Sequence, residues 1–288
     1  MIVWLAGPTG YYSFVSPAYS HATAWFSVAL FVYTWLRTQE EPGLGRACLL
    51  GVLGGLVALV RWQDSVVLLL PLAETVWSIR RGRWGGGTPL VHLVVLGIAA
   101  GLMIVPQFLA WQAIYGTPVI MPQGPGFMRW SQPAILAVLF SLKHGLFSWT
   151  PALLTAAAGL PLLVKRDRLV GWSVILVMAI TIYVSASVQD WWAGEAFGAR
   201  RFVGCGVFFA LGLAALLAWP PGARRPRAVG WISLAVVAYN LLFLLQYQLF
   251  MRGMTDLVPY PTTAKQIFID RLLLPAQLVW GWLGAAHQ

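Results

Sequence analysis

Long apolar stretches alternate with short polar ones along nearly the whole chain of 288 residues. A helix needs about 20 mostly apolar residues to cross about 30 Å of hydrocarbon, and these stretches leave no room for a soluble domain beside them. The pattern predicts an all-α polytopic membrane protein in which residues 1–288 form a single transmembrane domain. Eight transmembrane helices are expected, at residues 19–36, 47–60, 65–79, 90–112, 149–164, 169–187, 202–219 and 228–250.

The second and third of these helices are short for a full crossing, and they flank the polar sequence Arg-Trp-Gln-Asp at residues 61–64. We interpret the two as a shallow hairpin. A single helix over residues 47–79 is the alternative, but it would place Arg61 near the bilayer centre at a cost of about 2.5 to 3.5 kcal/mol. Pro71 also favours a break in this region.

Composition agrees with a membrane protein. Hydrophobic residues make up 59% of the chain and charged residues 10%, whereas about 25% of the residues in a soluble domain are charged. The net charge of +10 comes from Lys and Arg in short clusters between the apolar stretches. Because these residues do not form one basic face or tail, the charge does not indicate a nucleic-acid partner.

Basic clusters near helix ends mark loops that stay in the cytoplasm. With eight crossings all four clusters fall on that side, which seven crossings would not achieve. Both termini then lie outside, together with residues 61–64, 113–148 and 188–201, and functional residues are expected there. The clusters are Arg37 with Arg46, Arg80-Arg81-x-Arg83, Lys165-Arg166-x-Arg168 and Arg224-Arg225-x-Arg227.

The glycine spacings indicate close packing of helices, and the cysteine spacings indicate neither a metal site nor a disulfide framework. Gly51-x-x-x-Gly55 and Gly97-x-x-x-Gly101 lie inside apolar helices, where such pairs let two helix backbones approach closely. The two cysteines lack the spacing of zinc ligands or of a disulfide framework. No metal and no cofactor are therefore expected.

The outside segment 113–148 is long for a link between two membrane helices. Its residues 133–147 begin with a proline and are too short to span, so we predict an interfacial helix along the membrane surface. Lys143 and His144 would lie at headgroup depth. They are either a snorkelling lysine and a structural histidine or the residues that recognise a lipid phosphate.

Residues 189–201 form the densest polar sequence expected outside. Arg200 and Arg201 precede an apolar helix, where their planar guanidinium forks would offer several donors to phosphate oxygens at the membrane boundary. Alternatively, the two arginines pair with Asp190 and Glu195 and fix the loop. The two interpretations are compatible, because arginines that bind a phosphate must themselves be held in place by neighbouring groups. The same two carboxylates are the candidate catalytic residues.

Most of the tryptophan and tyrosine side chains are expected in the aromatic belt at the headgroup level. Aromatic residues in the outside loops have a second interpretation, which is that their rings stack on sugars. These residues are Trp130, Trp149, Trp191 and Trp192. We assign Trp191 and Trp192 to the substrate-binding set.

Several short motifs are spread over nearly all of the chain. They are Ser20-His21-Ala22, Arg61-x-Gln63, Tyr115-Gly116-Thr117-Pro118, Pro122-Gln123-Gly124, Leu139-Phe140-Ser141 continuing to His144-Gly145-Leu146-Phe147-Ser148-Trp149-Thr150-Pro151, and Asp190-Trp191-Trp192 continuing to Phe197-Gly198-Ala199-Arg200-Arg201-Phe202. In these motifs the chain resembles bacterial polytopic glycosyltransferases of the GT-C superfamily, in the branch related to protein O-mannosyltransferases and the lipid A aminoarabinose transferase.

The resemblance implies a transferase that takes a sugar from a polyprenyl-phosphate carrier and passes it to a lipid, glycan or protein acceptor. The reaction would take place at the outer face of the bacterial inner membrane, with no direct use of a nucleotide sugar. Such enzymes generally rely on an acidic residue in the first outside loop, after the first transmembrane helix. That part of the family pattern has no counterpart here, so the chain is expected to be the C-terminal portion of a larger GT-C membrane domain.

Transfer of this kind needs a carboxylate to deprotonate or orient the acceptor hydroxyl and cationic groups to stabilise the departing lipid phosphate. Arg200 and Arg201 are the first choice for the phosphate role. Arg61 and Lys143 are further candidates for it.

Two other functions stay open. One is a transporter or lipid flippase, although transporters usually show repeated halves and ionisable residues within their spans. Here only Glu74 and His92 lie inside predicted helices, both close to the cytoplasmic ends. The other is a catalytically inert remnant that binds lipid or a partner subunit.

Reporter fusions test the predicted topology. A reporter fused after Lys165 is expected to give a cytoplasmic signal, because this residue belongs to a basic cluster. A reporter fused after Gly253 is expected outside. A cytoplasmic signal from both fusions would overturn the topology.

Overall fold

The computed structural model of the chain describes residues 1–39, 43–82, 88–121, 123–124, 126–194, 196–219, 226–254 and 260–285. Within these ranges the protein is all-helical, and its extended pairing is limited to an isolated antiparallel bridge between Met128 and Val188. Several residues of the predictions above lie outside the described ranges, namely Arg83, Pro122, Glu195, Arg224 and Arg225.

The helices follow one another with short connections. The α-helices are α1 (Ile2–Leu5), α2 (Thr9–Phe14), α3 (His21–Arg37), α4 (Leu44–Val60), α5 (Leu69–Arg80), α6 (Thr88–Tyr115), α7 (Ile135–Phe140), α8 (Leu146–Trp149), α9 (Pro151–Ala158), α10 (Leu160–Arg166), α11 (Arg168–Ala186), α12 (Gly206–Leu217), α13 (Pro226–Met251), α14 (Ala264–Phe268) and α15 (Asp270–Ala285). Two 3-10 helices, Trp62–Leu68 and Arg200–Cys205, precede α5 and α12.

Four helical stretches in the described part of the chain are long and apolar enough to cross a membrane. They are Pro89–Tyr115, Arg168–Ala186, Arg200–Leu217 and Arg227–Met251. These stretches coincide with four of the eight predicted segments and mark the chain as a membrane protein.

The other four predicted segments form shorter helices. α3 and α4 have 17 residues each, and α5 has 12. The segment predicted at 149–164 is divided at Gly159 into α9 and α10. Pro161, in the first turn of α10, has no N–H to continue the hydrogen bonding of the preceding helix, which explains the division.

The predicted break between the second and third segments is confirmed, so the single helix over residues 47–79 is wrong. α4 ends at Val60, and the chain turns through the 3-10 helix Trp62–Leu68 before α5 begins. At the opposite end of the hairpin, Arg46 Nη2 lies 2.8 Å from Glu74 Oε2. Trp35 Nε1 donates to the same carboxylate at 2.7 Å. This buried network ties α3, α4 and α5 together.

The structure divides the segment predicted as one interfacial helix, residues 133–147, into α7 and the start of α8. Between them His144 has a φ of +62°, a left-handed backbone that a continuous helix cannot contain. The tail also differs from the sequence-based picture, since it contains α14 and α15. Thr263 and Gln266 form a capping box at the start of α14, a local signal that the sequence does carry.

Two buried clusters hold the helices together. The larger one is aliphatic and phenylalanine-rich, and it is formed mainly by α3, α4, α11 and α12. The second, which we call the aromatic cluster, joins α2, α8, α13 and the loop before α12. Its buried members are Tyr11, Tyr12, Trp149, Phe197, Val203, Phe243, Tyr247 and Ile267.

The helix pair α4 and α6 approaches closely at the glycines of α4. A Cβ atom on Gly51 would collide with the Leu96 carbonyl oxygen, and one on Gly55 would lie 2.6 Å from the Ala100 carbonyl oxygen. The packing role predicted for this glycine pair is therefore confirmed. Gly97 and Gly101 differ, because no described atom lies within 4 Å of a Cβ built on either residue. The prediction that these two glycines bring helix backbones together is therefore wrong within the described part of the chain.

We expect Gly55→Ala to destabilise the protein by about 1 to 3 kcal/mol, the usual cost of overpacking a tight interface. Gly101→Ala is the matched control and should be neutral or slightly stabilising, since alanine is the better helix former. Unfolding in mixed micelles of a mild detergent and dodecyl sulfate measures both free energies. Equal effects of the two substitutions would contradict the helix packing described above.

Candidate functional site

Five helices meet where the predicted outside segments come together. α4, α6 and α11 end there, while α3 and the 3-10 helix Arg200–Cys205 begin there. A cavity of about 600 Å³ opens between the ends of α4, α6 and α11 and the start of the 3-10 helix Arg200–Cys205, a size typical of small-molecule sites. Its lining residues are Arg61, Trp62, Gln63, Trp111, Val119, Ile120, Met121, Gln123, Phe127, Met128, Val184, Ser185, Val188 and Arg201. We call it the main cavity.

The walls of the main cavity are largely apolar. Trp62 and Trp111 stack with ring centroids 5.7 Å apart and planes inclined by 13°. Most of the remaining lining is aliphatic, methionine or phenylalanine, and Gln63, Gln123 and Ser185 add polar groups. Arg61 and Arg201 bring two guanidinium groups to this apolar surface. An apolar cavity with a few convergent charged groups is suited to an amphiphilic ligand with an anionic end.

Arg61 is held on several sides. Its Nη1 lies 3.0 Å from His21 Nδ1, and because a guanidinium only donates, that imidazole nitrogen accepts and carries no proton. Nη1 also lies 3.9 Å from Asp64 Oδ2. Burial lowers the pKa of Arg61, and the neighbouring Asp64 opposes that shift.

Asp64 is a site residue to which the sequence assigned no role. Its side chain is buried, and Oδ2 has no hydrogen-bond partner among the described residues. Burial raises the pKa of this carboxyl, while Arg61 lowers it. Gly204 packs directly against it, since a Cβ atom there would lie 2.7 Å from Oδ2. No motif or spacing in the sequence signals this long-range contact.

The hairpin tip docks on the turn that begins α12. Gln63 Nε2 donates to the Arg201 carbonyl oxygen at 2.8 Å, and Arg61 Nη1 donates to the Arg200 carbonyl oxygen at 3.5 Å. The structure thus brings together the two arginine-bearing segments that the sequence singled out. The Arg61-x-Gln63 spacing allows both residues to reach the same stretch of backbone.

Arg201 pairs with Asp190. Its Nη2 donates to Asp190 Oδ1 at 2.7 Å and to the Asp190 carbonyl oxygen at 3.2 Å. The Nε atom of Arg201 is buried and has no acceptor among the described residues.

The two consecutive arginines do not act as a pair. Arg201 lines the main cavity, whereas Arg200 is absent from its lining and lies with its guanidinium carbon 5.7 Å from the centre of the Tyr19 ring. The 3-10 conformation of Arg200–Cys205 explains this, because it has three residues per turn and points neighbouring side chains about 120° apart. The cavity pair is Arg61 with Arg201.

Lys143 and His144 lie away from the main cavity. The Lys143 ammonium sits over the Trp192 ring, 4.2 Å from its centre. His144 is buried, stacks on Trp149 and is hydrogen-bonded to the Tyr260 hydroxyl at 2.5 Å. Burial lowers the pKa of His144 to about 4, so its imidazole is uncharged at neutral pH.

The aromatic candidates separate into two groups. Trp149 is only 1% exposed in the aromatic cluster, where no sugar ring can reach it, so its alternative role in stacking is wrong. Trp191 and Trp192 line a second, smaller cavity that also contains Val188. Trp130 is exposed.

Of the two candidate catalytic carboxylates, Asp190 is occupied by its ion pair with Arg201. Glu195 lies outside the described residues. Within the described ranges, no group of three or more His, Cys, Asp or Glu side chains comes together in a way that could hold a metal ion.

Comparisons with known proteins found no match for this chain, whether among family models, curated proteins or solved structures. The chemistry of the site is therefore argued from its own residues.

The two ion pairs of the site should differ in their contribution to stability. Asp64→Ala leaves the Arg61 guanidinium buried without a counter-charge and is expected to cost about 3 kcal/mol. Asp190→Ala, at a carboxylate whose side chain is 40% exposed, should cost less than about 1 kcal/mol. Unfolding in mixed micelles measures both. A loss at Asp190→Ala as large as at Asp64→Ala would contradict this ranking.

Proposed function

We propose that the chain belongs to a membrane glycosyltransferase that moves a sugar from a polyprenyl-phosphate carrier to an acceptor. The main cavity would hold the phosphate and the first isoprene units of the carrier. The observation that carries this proposal is the placement of Arg61 and Arg201 on the wall of a largely apolar cavity of about 600 Å³. The resemblance of the short sequence motifs to GT-C enzymes points to the same substrate class.

The charges of the site favour an anion. Arg61, Arg200 and Arg201 gather at the turn before α12, and the described carboxylates that pair with them are Asp64 and Asp190. The charge left unmatched among these described groups is that of Arg200, which lies over the Tyr19 ring beside the cavity pair. A phosphate oxygen at the cavity wall would accept from Arg61 and Arg201, and charge-assisted bonds of this kind are strong in apolar surroundings.

The arginines would also assist the chemistry. When the acceptor hydroxyl attacks the anomeric carbon, the bond to the lipid phosphate breaks and negative charge accumulates on the leaving oxygen. Guanidinium groups already fixed in place stabilise that charge without reorganisation. The proton of the acceptor hydroxyl would pass to the Asp190 carboxylate, which would first have to release Arg201.

The proposal includes an arrangement in the membrane. Eight crossings, counting the α4–α5 hairpin as two, would place the main cavity at the outer face of the bacterial inner membrane, with both chain termini outside. Residues 133–147 would lie along that surface. In this arrangement a carrier lipid enters the cavity with its chain in the bilayer and its phosphate at the headgroup level.

Binding of undecaprenyl phosphate to the purified chain in nanodiscs tests the proposal. Arg61→Gln and Arg201→Gln should each weaken binding about 10- to 100-fold, because one charge-assisted hydrogen bond contributes about 1.5 to 3 kcal/mol. Arg37→Gln removes an exposed arginine from the far end of α3 and is the matched control. It should leave the affinity unchanged.

Equal affinity for the parent and both cavity variants would contradict the proposal. A flippase is distinguished by moving a labelled undecaprenyl phosphate across sealed vesicles. Transport that survives Arg61→Gln and Arg201→Gln would also count against a phosphate site at these residues.

A further inference from the structure

A second cavity of about 300 Å³ lies next to the main cavity. Its lining includes Arg129, Gln132, Val188, Gln189, Trp191 and Trp192. Val188 also lines the main cavity, so the two spaces share this residue. We call the smaller space the tryptophan cavity.

The partition between the two cavities is built from paired backbone. The Gln189 amide donates to the Phe127 carbonyl oxygen at 2.8 Å, and the Arg129 amide donates to the Ser187 carbonyl oxygen at 2.6 Å. These bonds flank the bridge between Met128 and Val188. Because its backbone groups are satisfied in this way, the partition is a fixed wall.

The tryptophan cavity has the side chains that recognise a carbohydrate. Trp191 and Trp192 meet edge to face, with ring centroids 5.7 Å apart and planes at 85°. Indole faces provide flat apolar area for the C–H face of a pyranose ring, and each has few torsions to immobilise. The carboxamides of Gln132 and Gln189 each offer donors and an acceptor, which matches sugar hydroxyl groups.

The charge of the tryptophan cavity selects among sugars. Among the described residues no carboxylate lines it, and Arg129 has no ion pair with another described residue. The Lys143 ammonium lies 4.2 Å from the centre of the Trp192 ring and adds a second positive charge nearby. A carboxylate on the bound sugar would therefore find a partner in Arg129.

We infer that the tryptophan cavity binds an acidic sugar residue of the acceptor. This inference rests on the proposed function, because it takes the main cavity as the place of the carrier phosphate. Asp190 connects the two sites, since its carboxylate holds Arg201 on the main-cavity side while the next residue, Trp191, lines the tryptophan cavity. A glycan bound there would lie next to the sugar to be transferred.

Saturation-transfer NMR on the purified chain in detergent micelles tests the inference with methyl glucuronide and methyl glucoside as probes. Saturation should reach the ring protons of both, and the glucuronide should bind about three- to fivefold more tightly, as expected for one partly exposed ion pair. Arg129→Gln should equalise the two affinities, and Trp192→Ala should abolish both signals. Trp231→Ala, at a tryptophan that is 72% exposed on α13, is the control and should change neither.

Undecaprenyl phosphate binding separates this inference from the proposed function. Trp192→Ala and Arg129→Gln should retain it, while Arg61→Gln should weaken it about 10- to 100-fold and still bind the glucuronide. If Trp192→Ala also loses lipid binding because it misfolds, the test is whether Arg129→Gln equalises the affinities for the glucuronide and the glucoside. The inference would be overturned if neither glycoside received saturation, or if the parent chain bound the glucuronide and the glucoside equally well. This holds even if lipid binding depends on Arg61 and Arg201 as proposed.

Discussion

The candidate site depends on one contact, the docking of the hairpin tip on the turn that begins α12. Arg61 and Gln63 donate to consecutive carbonyl oxygens of that turn, and Asp64 packs against Gly204, where no side chain fits. Buried carbonyl groups need such partners, so the contact stabilises the turn and positions it. It also brings Arg61 and Arg201 to one cavity wall although they are far apart in sequence.

Each cavity arginine is supported by a carboxylate. Asp64 lies close to Arg61 at a buried position, and Asp190 holds Arg201 from the loop. Neither carboxylate is among the residues that line the main cavity, so the two guanidinium groups are fixed from behind and the cavity surface itself carries the arginines. Preorganised cations of this kind suit an anion that gains charge during a reaction. The aromatic cluster behind the turn, including Phe197, gives this arrangement a rigid base.

Hydropathy predicted the four helical stretches long enough to span a membrane but not the helices of the two chain ends, and the polar tip at residues 61–64 predicted the break between α4 and α5. The glycine pair in α4 was also readable, because close packing requires a small residue at a fixed spacing. The sequence did not predict that Arg200 points away from the main cavity or that Asp64 is buried beside Arg61. The divergence of Arg200 from Arg201 follows from a 3-10 turn that tertiary contacts select, and Asp64 meets Gly204 only in the folded chain. Burial of His144 and Trp149 likewise comes from packing against distant segments such as the one containing Tyr260, which no local pattern reports.

A structure of the chain with bound undecaprenyl phosphate tests the central claim most directly. The account predicts that phosphate oxygens lie about 2.7 to 2.9 Å from guanidinium nitrogens of both Arg61 and Arg201, with the isoprene chain against Trp62 and Trp111. A phosphate bound at Arg200 or Lys143 instead, with the main cavity empty, would contradict it.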